Sequence, residues 1–460
     1  MRNIIAKLLC LTAICLTLLS VKDTDVAKAD INDGSVSDVE YVGDVDFDGK
    51  ITPKDVTILK RYLTGEWTIE IEAEDGDVDG DGMITPKDVT VLRRYLSGGW
   101  NIVLPEKIPE GSDGIAIDEI NFPDESFRNY VYENIDLNKN WIVSERELKR
   151  TGSIDIRNKG VRNLKGIEIF ENLSELYCSS NQLTSLDVSK NTSLTILDCS
   201  LNLLESLDIS DNTALIDLYC HNNELTSLSL SNNTALINLD CGHNKLDELN
   251  LFNNTELTYL DCSGNKLMGI DVSKNTALVK LNCSGNALTS LSLNYNSALT
   301  DLDCTHNRLT GLSLDNNVAL INLYCYSNQL VSLNLNYNTA LKELDCSENQ
   351  LESLNLSHNG SLIQLSCYSN KLESLDLTDN TDITDLNCSD NQLKMLNVSN
   401  NTALIFLDCS INQLENIDLS NTGALVYLCC CENRIKSLDV RNCYDSIWVD
   451  ADSDVDVIYY

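Results

Sequence analysis

The sequence predicts a multi-domain chain: a small all-α calcium-binding domain of two loop–helix motifs, then a β-rich right-handed solenoid of about 13 coils with a helical N-terminal cap. Three observations carry that expectation. The twelve-residue segments 44–55 and 77–88 repeat each other almost residue for residue. A cysteine recurs every 21 residues from Cys178 to Cys430 without a slip. An asparagine follows each of those cysteines three positions later, from Asn181 to Asn433.

In chain order, residues 1–29 read as a secretory signal. Arg2 and Lys7 form a charged start, Leu8 to Val21 an apolar core, and Ala27-Lys-Ala29 a small-x-small cleavage site before Asp30. That core is too short to span a bilayer comfortably. Cys10 and Cys15 lack the context of a lipid-anchored cysteine. The expected protein is secreted and extracellular, with no membrane insertion. With 33 basic and 70 acidic residues, the net charge of −37 argues against nucleic acid and anionic lipid as partners.

Residues 30–100 hold the two loops. Asp44, Asp46, Asp48 and Asp55 occupy positions 1, 3, 5 and 12 of the first; Asp77, Asp79, Asp81 and Asp88 occupy the same positions of the second. Glycine stands at position 6 of both. Carboxylates at this spacing converge on one hard cation, and the glycine allows the sharp turn. Lys50 and Met83 differ at position 7 because only their backbone carbonyls would serve as ligands. Thr52 and Thr85 then cap helices that begin at Pro53 and Pro86, with Asp55 and Asp88 at the third helical position. Gly65 and Gly98 close them. Ahead of each loop the sequence is short, polar or acidic, so no entering helix is expected. Between Gly43–Trp67 and Gly76–Trp100, 19 of 25 positions are identical.

This duplicated loop–helix resembles a type I dockerin, the calcium-dependent plug that joins secreted proteins to a cohesin module of a cellulosome scaffoldin. The resemblance implies two bound calcium ions. It also implies cohesin contacts at loop positions 10 and 11 and midway along each helix: Pro53, Lys54, Lys60 and Arg61 in one half, Pro86, Lys87, Arg93 and Arg94 in the other. Many dockerins carry small hydroxylated residues where this chain has Pro-Lys, so the identity of the cohesin is not implied. The alternative for these basic residues is an ordinary solvated helix face.

Residues 101–115, with Pro105, Pro109, Gly111 and Gly114, read as a linker. Residues 116–167 read as the cap of the solenoid, with an amphipathic helix around Glu125–Asn134. Within the cap, Asp136, Asn138, Asn140 and Glu147 repeat the calcium-loop spacing, but Trp141 replaces the glycine. A third calcium site and a plain helical cap are both open readings there.

Residues 168–440 are the repeats. One unit reads Leu173-x-x-Leu176-x-Cys178-x-x-Asn181-x-Leu183-x-x-Leu186-x-Val188-x-x-Asn191. A constant period over this length means stacked coils that bury their apolar faces only against neighbours. The unit resembles the 21-residue bacterial leucine-rich repeats sometimes called the IRREKO class. Leucine and cysteine should point inward from a short strand, and the asparagine amides should bridge adjacent coils at the turn. Cysteines stacked at the strand spacing of about 4.8 Å point the same way, unlike the closer, inclined Cβ pair of a disulfide. Free buried thiols are therefore expected. Cys429, Cys431 and Cys443 stand apart, open to a disulfide with Cys443 or to a metal site. Residues 441–460 should close the stack with a final strand.

Binding would be written where coils differ. Tyr177, Tyr219, Tyr324, Tyr326 and Tyr368 flank ladder cysteines among several aspartates and form a candidate ligand face; a tolerant polar sheet surface is the alternative. His221, His243, His306 and His358 are spaced irregularly and suggest no catalytic set. The expected function is that of a secreted, non-catalytic, cellulosome-associated protein. Its dockerin would take a cohesin in a polysaccharide-degrading complex, and its repeats a further protein or glycan ligand. The alternatives are a cell-surface adhesin with internalin-like repeats anchored through cohesin, and an unrecognised glycoside hydrolase.

Overall fold

A threonine cap followed by proline starts each of two helices in a computed structural model of the chain: α1 (Pro53–Thr64) and α2 (Pro86–Leu96). The structure describes residues 43–46, 50–64, 71, 76, 78, 84–97 and 114–459. Asp48, Asp77, Asp79, Asp81, Met83, the expected leader, and residues 101–113 of the expected linker lie outside the described residues. The chain divides into two compact units, Met1–Asn121 with Arg128–Glu147, and Phe122–Phe127 with Leu148–Tyr460.

In the first unit, apolar residues three apart give each helix one buried edge: Val56 and Leu59 on α1, Val89 and Leu92 on α2. They meet in one cluster with Val45, Ile71 and Val78. Gly43 has a φ of +114°, and a Cβ there would lie 2.7 Å from Leu92 Cδ1. Conformation and space both ask for glycine at that point. Further along, β1 (Ile115–Ala116) pairs antiparallel with β2 (Ile142–Val143). Ile115, within the segment read as linker, is thus a strand residue. Helix α3 (Glu125–Asn134) falls where the amphipathic pattern predicts it, and a short helix α4 (Glu145–Arg150) follows β2.

The second unit is a stack of coils. Its main sheet has fifteen parallel strands in chain order: β3 (Ser153–Asp155), thirteen strands from β4 (Glu175–Tyr177) to β16 (Tyr427–Cys429), and β18 (Trp448–Asp450). The thirteen cysteine coils are therefore extended by one strand at each end. Ile156 and Ala451 stand where those two strands would carry the cysteine, which is why a cysteine count misses them. Every strand is three residues long with its middle residue in register with its neighbours, as in Leu302 between Leu281 and Leu323. The middle leucine and the cysteine just after it are both buried. A second small sheet pairs β17 (Ser437–Asp439) in parallel with β19 (Asp456–Ile458).

The asparagines stitch coil to coil as predicted. Asn307 Nδ2 donates to Cys283 O of the preceding coil at 3.0 Å and to Cys304 O of its own at 3.1 Å. Its Oδ1 accepts from Leu288 N at 3.0 Å. One residue before each of these asparagines the backbone turns left-handed, from Ser180 to Glu432, with glycine there only at Gly264 and Gly285. Ile411, at φ 53°, is a β-branched residue held in that strained region.

A second column, Asn191 to Asn401, was not given a role by the sequence reading. Its Nδ2 groups donate to two carbonyls of the preceding coil, as Asn296 does to Val272 O and Asn275 O. Each Oδ1 in that column is buried without a hydrogen-bond partner. Among the described residues every cysteine is a free thiol. Burial pushes the ladder thiols well above their ordinary range, as at Cys325 and Cys346.

Candidate calcium sites and binding faces

Three carboxylates of the first loop converge. One oxygen each from Asp44, Asp46 and Asp55 lies within 4.8 Å of the others. Asp55 is drawn in from α1, fully buried, and accepts from Val45 N at 3.0 Å, Asp46 N at 3.2 Å and Thr52 N at 2.7 Å. The helix start and the loop are thereby one structure: the residue that caps α1 also faces the other two carboxylates. Burial, then the neighbouring Asp46, raises the Asp55 pKa. A hard divalent ion fits this oxygen set. In the second half Asp88 repeats the geometry, accepting from Thr85 N at 2.7 Å and Thr85 Oγ1 at 3.1 Å.

The cohesin-type contact residues show the same exposure pattern in both helices. Pro53, Lys54 and Arg61 are exposed and Lys60 is half-buried; Pro86, Lys87 and Arg94 are exposed and Arg93 is half-buried. Lys54 Nζ sits 2.7 Å from Asp46 Oδ2, so one contact candidate also touches the carboxylate cluster.

The cap loop takes a calcium-loop shape while using its carboxylates internally. Asp136 accepts from Asn140 N at 3.2 Å and Trp141 N at 2.9 Å. Glu147 accepts from Leu137 N at 2.6 Å and Ser144 N at 2.8 Å. Asn138 and Asn140 turn their side-chain oxygens to the backbone N–H of Asn140 and Ile142. Trp141 adopts φ 65° in place of glycine and stacks on Tyr132 with ring centroids 4.1 Å apart.

On the long sheet the first and third residues of each strand face outward. Acidic side chains dominate these positions, among them Asp198, Asp240, Asp261, Asp301, Asp303, Glu343 and Asp345; Lys280 is the basic one from β4 to β16. The five candidate tyrosines are all half-buried on this face. Tyr177 donates to Glu175 at 3.4 Å under the Arg157 guanidinium, Tyr368 donates to Glu348 at 3.1 Å, and Tyr324 bonds Glu343. Tyr326 meets His306 edge to face, and Tyr219 is half-buried among Asp217, Asp198 and Asp240. Burial, chiefly, pushes the Tyr368 hydroxyl up to about 12.

Four further aromatics on this face went unremarked in the sequence, one of them Tyr259 at the start of its strand. Phe406 and Tyr427 stack at 4.7 Å and 3° in adjacent strands, and Trp448 stands opposite Tyr427 in register, 67% exposed. Adding the 21-residue period would have aligned Phe406 with Tyr427.

Cys443 is buried with Sγ 3.5 Å from Thr422 Oγ1, at the foot of the second asparagine column. It does not approach Cys429 for a disulfide; the proposed pairing is corrected, because residue 443 continues the column of Asn401 and Thr422 and not that of the cysteines. Cys429 and Cys431 instead lie together, with Sγ atoms 3.6 Å apart.

Comparison with known proteins agrees with both halves. The dockerin type I domain family matches residues 42–99. Internalin J of Listeria monocytogenes serotype 4b (strain F2365) is 37% identical over 71 residues, a stretch that is 15% of this chain and 8% of that protein. The functional domain of InlJ from Listeria monocytogenes, which includes a cysteine ladder, aligns with a TM-score of 0.70 at 35% identity, covering 73% of this chain and 74% of that one. An internalin, inlF, from Listeria monocytogenes str. 4b F2365 aligns with a TM-score of 0.61 at 22% identity over 75% of this chain and 98% of its own, a likeness of fold alone.

Proposed function

We propose, for a chain that belongs to the internalin-like leucine-rich-repeat proteins and carries a type I dockerin domain, a secreted non-catalytic docking role. The dockerin takes a cohesin of a cellulosome-type scaffold, and the repeats hold a further protein against it. The observation that carries this reading is the doubled loop–helix with matched exposed basic residues, joined to a long binding-type solenoid.

Calcium enters as structural ligand. Asp44, Asp46, Asp48, Asp55 and the Lys50 carbonyl would hold one ion; Asp77, Asp79, Asp81, Asp88 and the Met83 carbonyl would hold the other. The ion offsets carboxylate repulsion and fixes the loop against its helix. Pro53, Lys54, Lys60 and Arg61, or their counterparts Pro86, Lys87, Arg93 and Arg94, would then face an acidic patch on the cohesin. The acidic outward face of the repeats favours a partner with basic residues. The likeness to internalin J supports a second reading, a cell-surface adhesin that uses cohesin only as its anchor.

The test is retention of the full secreted chain on immobilised cohesins and on scaffold preparations, in calcium and then in chelator. Capture in calcium and release by chelator is expected. Absence of capture by any cohesin in calcium overturns the docking role. Reversing the charge of Lys60 and Arg61 alone, or Arg93 and Arg94 alone, should change affinity by less than about threefold if either half can dock, and a large loss from either pair sinks that two-faced arrangement.

A further inference from the structure

The last cysteine coil departs from the twelve before it. Elsewhere the third strand position carries aspartate, asparagine, tyrosine or serine; in β16 it carries Cys429. The ladder residue Cys430 points inward and is buried, and Cys431 comes next. Alternate residues of an extended segment share a face, so Cys429 and Cys431 project together while Cys430 is turned away from them. Their Sγ atoms are 3.6 Å apart. Asp450 of β18 is in register with Cys429, and its Oδ2 lies 3.8 Å from Cys429 Sγ. One ligand atom of each of the three falls within 4.8 Å of the others. Asp408, in register on the other side, is already engaged: its Oδ1 accepts from Ser410 N and Ser410 Oγ.

We propose that Cys429, Cys431 and Asp450 form a binding site for a zinc-like divalent transition metal, distinct in chemistry from the calcium loops. A tetrahedral zinc with Zn–S of about 2.3 Å and Zn–O of about 2.0 Å sets its sulfurs about 3.8 Å apart and sulfur from oxygen about 3.5 Å apart. The observed 3.6 Å and 3.8 Å need only small adjustment. Both cysteines are free, far from the roughly 2.05 Å separation of a disulfide.

Binding replaces two S–H bonds by two metal–sulfur bonds and releases both protons to solvent; a carboxylate oxygen of Asp450 is the third ligand, and a water completes the tetrahedron. Donor softness sorts the two ions. Thiolates select the transition metal, and the all-oxygen loops select calcium. Because Cys429 lies on β16 and Asp450 on β18, the ion would tie the last strand of the main sheet to the one before it.

Cobalt(II) is the probe, added to the reduced full chain under argon with calcium in excess to fill the loops. The expected result is about one equivalent bound with a near-ultraviolet sulfur-to-cobalt charge-transfer band and release of about two protons, reversed by zinc. Oxygen-only calcium loops cannot produce that band. It should disappear in Cys429→Ser and Cys431→Ser, weaken at least tenfold in affinity in Asp450→Asn, and survive in Cys443→Ser. Cys431 is half-exposed, so its replacement should leave the fold intact, checked by an unchanged circular dichroism spectrum. A native chain without the band, or a band that persists in Cys431→Ser, overturns the site. So does a Cys429–Cys431 disulfide whose reduction still leaves the chain unable to take cobalt.

Discussion

His221 stands where most coils carry serine, directly after the ladder cysteine, and reaches the next coil. Its Nδ1 lies 2.9 Å from Asp240 Oδ2. That pairing, with Asp198 and Asp261 adding to the field, raises the imidazole pKa above its ordinary 6.5 despite partial burial. The sign follows from linkage: a pKa raised by folding contributes stability that is complete below the unfolded value and is lost as pH rises through the folded one. The stabilisation should therefore be full below about pH 6.5 and fade above it. Denaturation midpoints of the native chain and His221→Gln, compared from acid to mild alkali, should converge as pH rises. A gap that does not depend on pH would show that the pair adds nothing through charge.

At the scale of the element, the unit to reason about is one coil and the amide that ties it to the last. Asn307 makes four hydrogen bonds from a side chain only 8% exposed. Asn307→Ala strands the N–H of Leu288, while the carbonyls of Cys283 and Cys304 keep Asn286 and Asn328 as donors. With one orphaned buried donor costing about 1–3 kcal/mol, a loss in that range is expected, read by urea denaturation of the repeat unit. A change under about 1 kcal/mol would mean that water replaces the amide. This column was legible in the sequence because its chemistry is complete in one residue type at a fixed period. The Asn191–Asn401 column recurs just as regularly, yet no cysteine marks it, and both carbonyls it donates to, 24 and 21 residues earlier, belong to the preceding coil, whereas Asn307 also bonds a carbonyl of its own coil. The same arithmetic places Cys443 beneath Thr422 and away from Cys429. The flanking strand β3 was invisible for the opposite reason, and β18, expected only as a final strand within residues 441–460, had no mark of its exact place: Ile156 and Ala451 fill the inward slot without the marker residue.

Across the whole molecule the two units are stabilised by different means, and that difference is testable. In the calcium-loop unit, Asp44, Asp46 and Asp55 approach one another within 4.8 Å. Two like charges near 4 Å repel by about 4 kcal/mol at an effective dielectric of 20, a large share of what a small domain has to spare. Its core is one cluster drawn from two short helices. The repeat unit rests instead on leucine layers, parallel pairing and asparagine bridges, with no cation in any of these contacts. The cap-loop carboxylates accept from backbone N–H groups as Asp55 does, so a third ion there is decided by experiment. Thermal unfolding of the zinc-free chain in calcium and in chelator should therefore separate. The helical transition followed at 222 nm should fall or vanish in chelator, whereas exposure of the ladder thiols to an alkylating reagent should keep its midpoint. Thiol exposure moving down together with the helical signal would mean that the repeats draw stability from calcium, and would favour the Asp136–Glu147 loop as a third site.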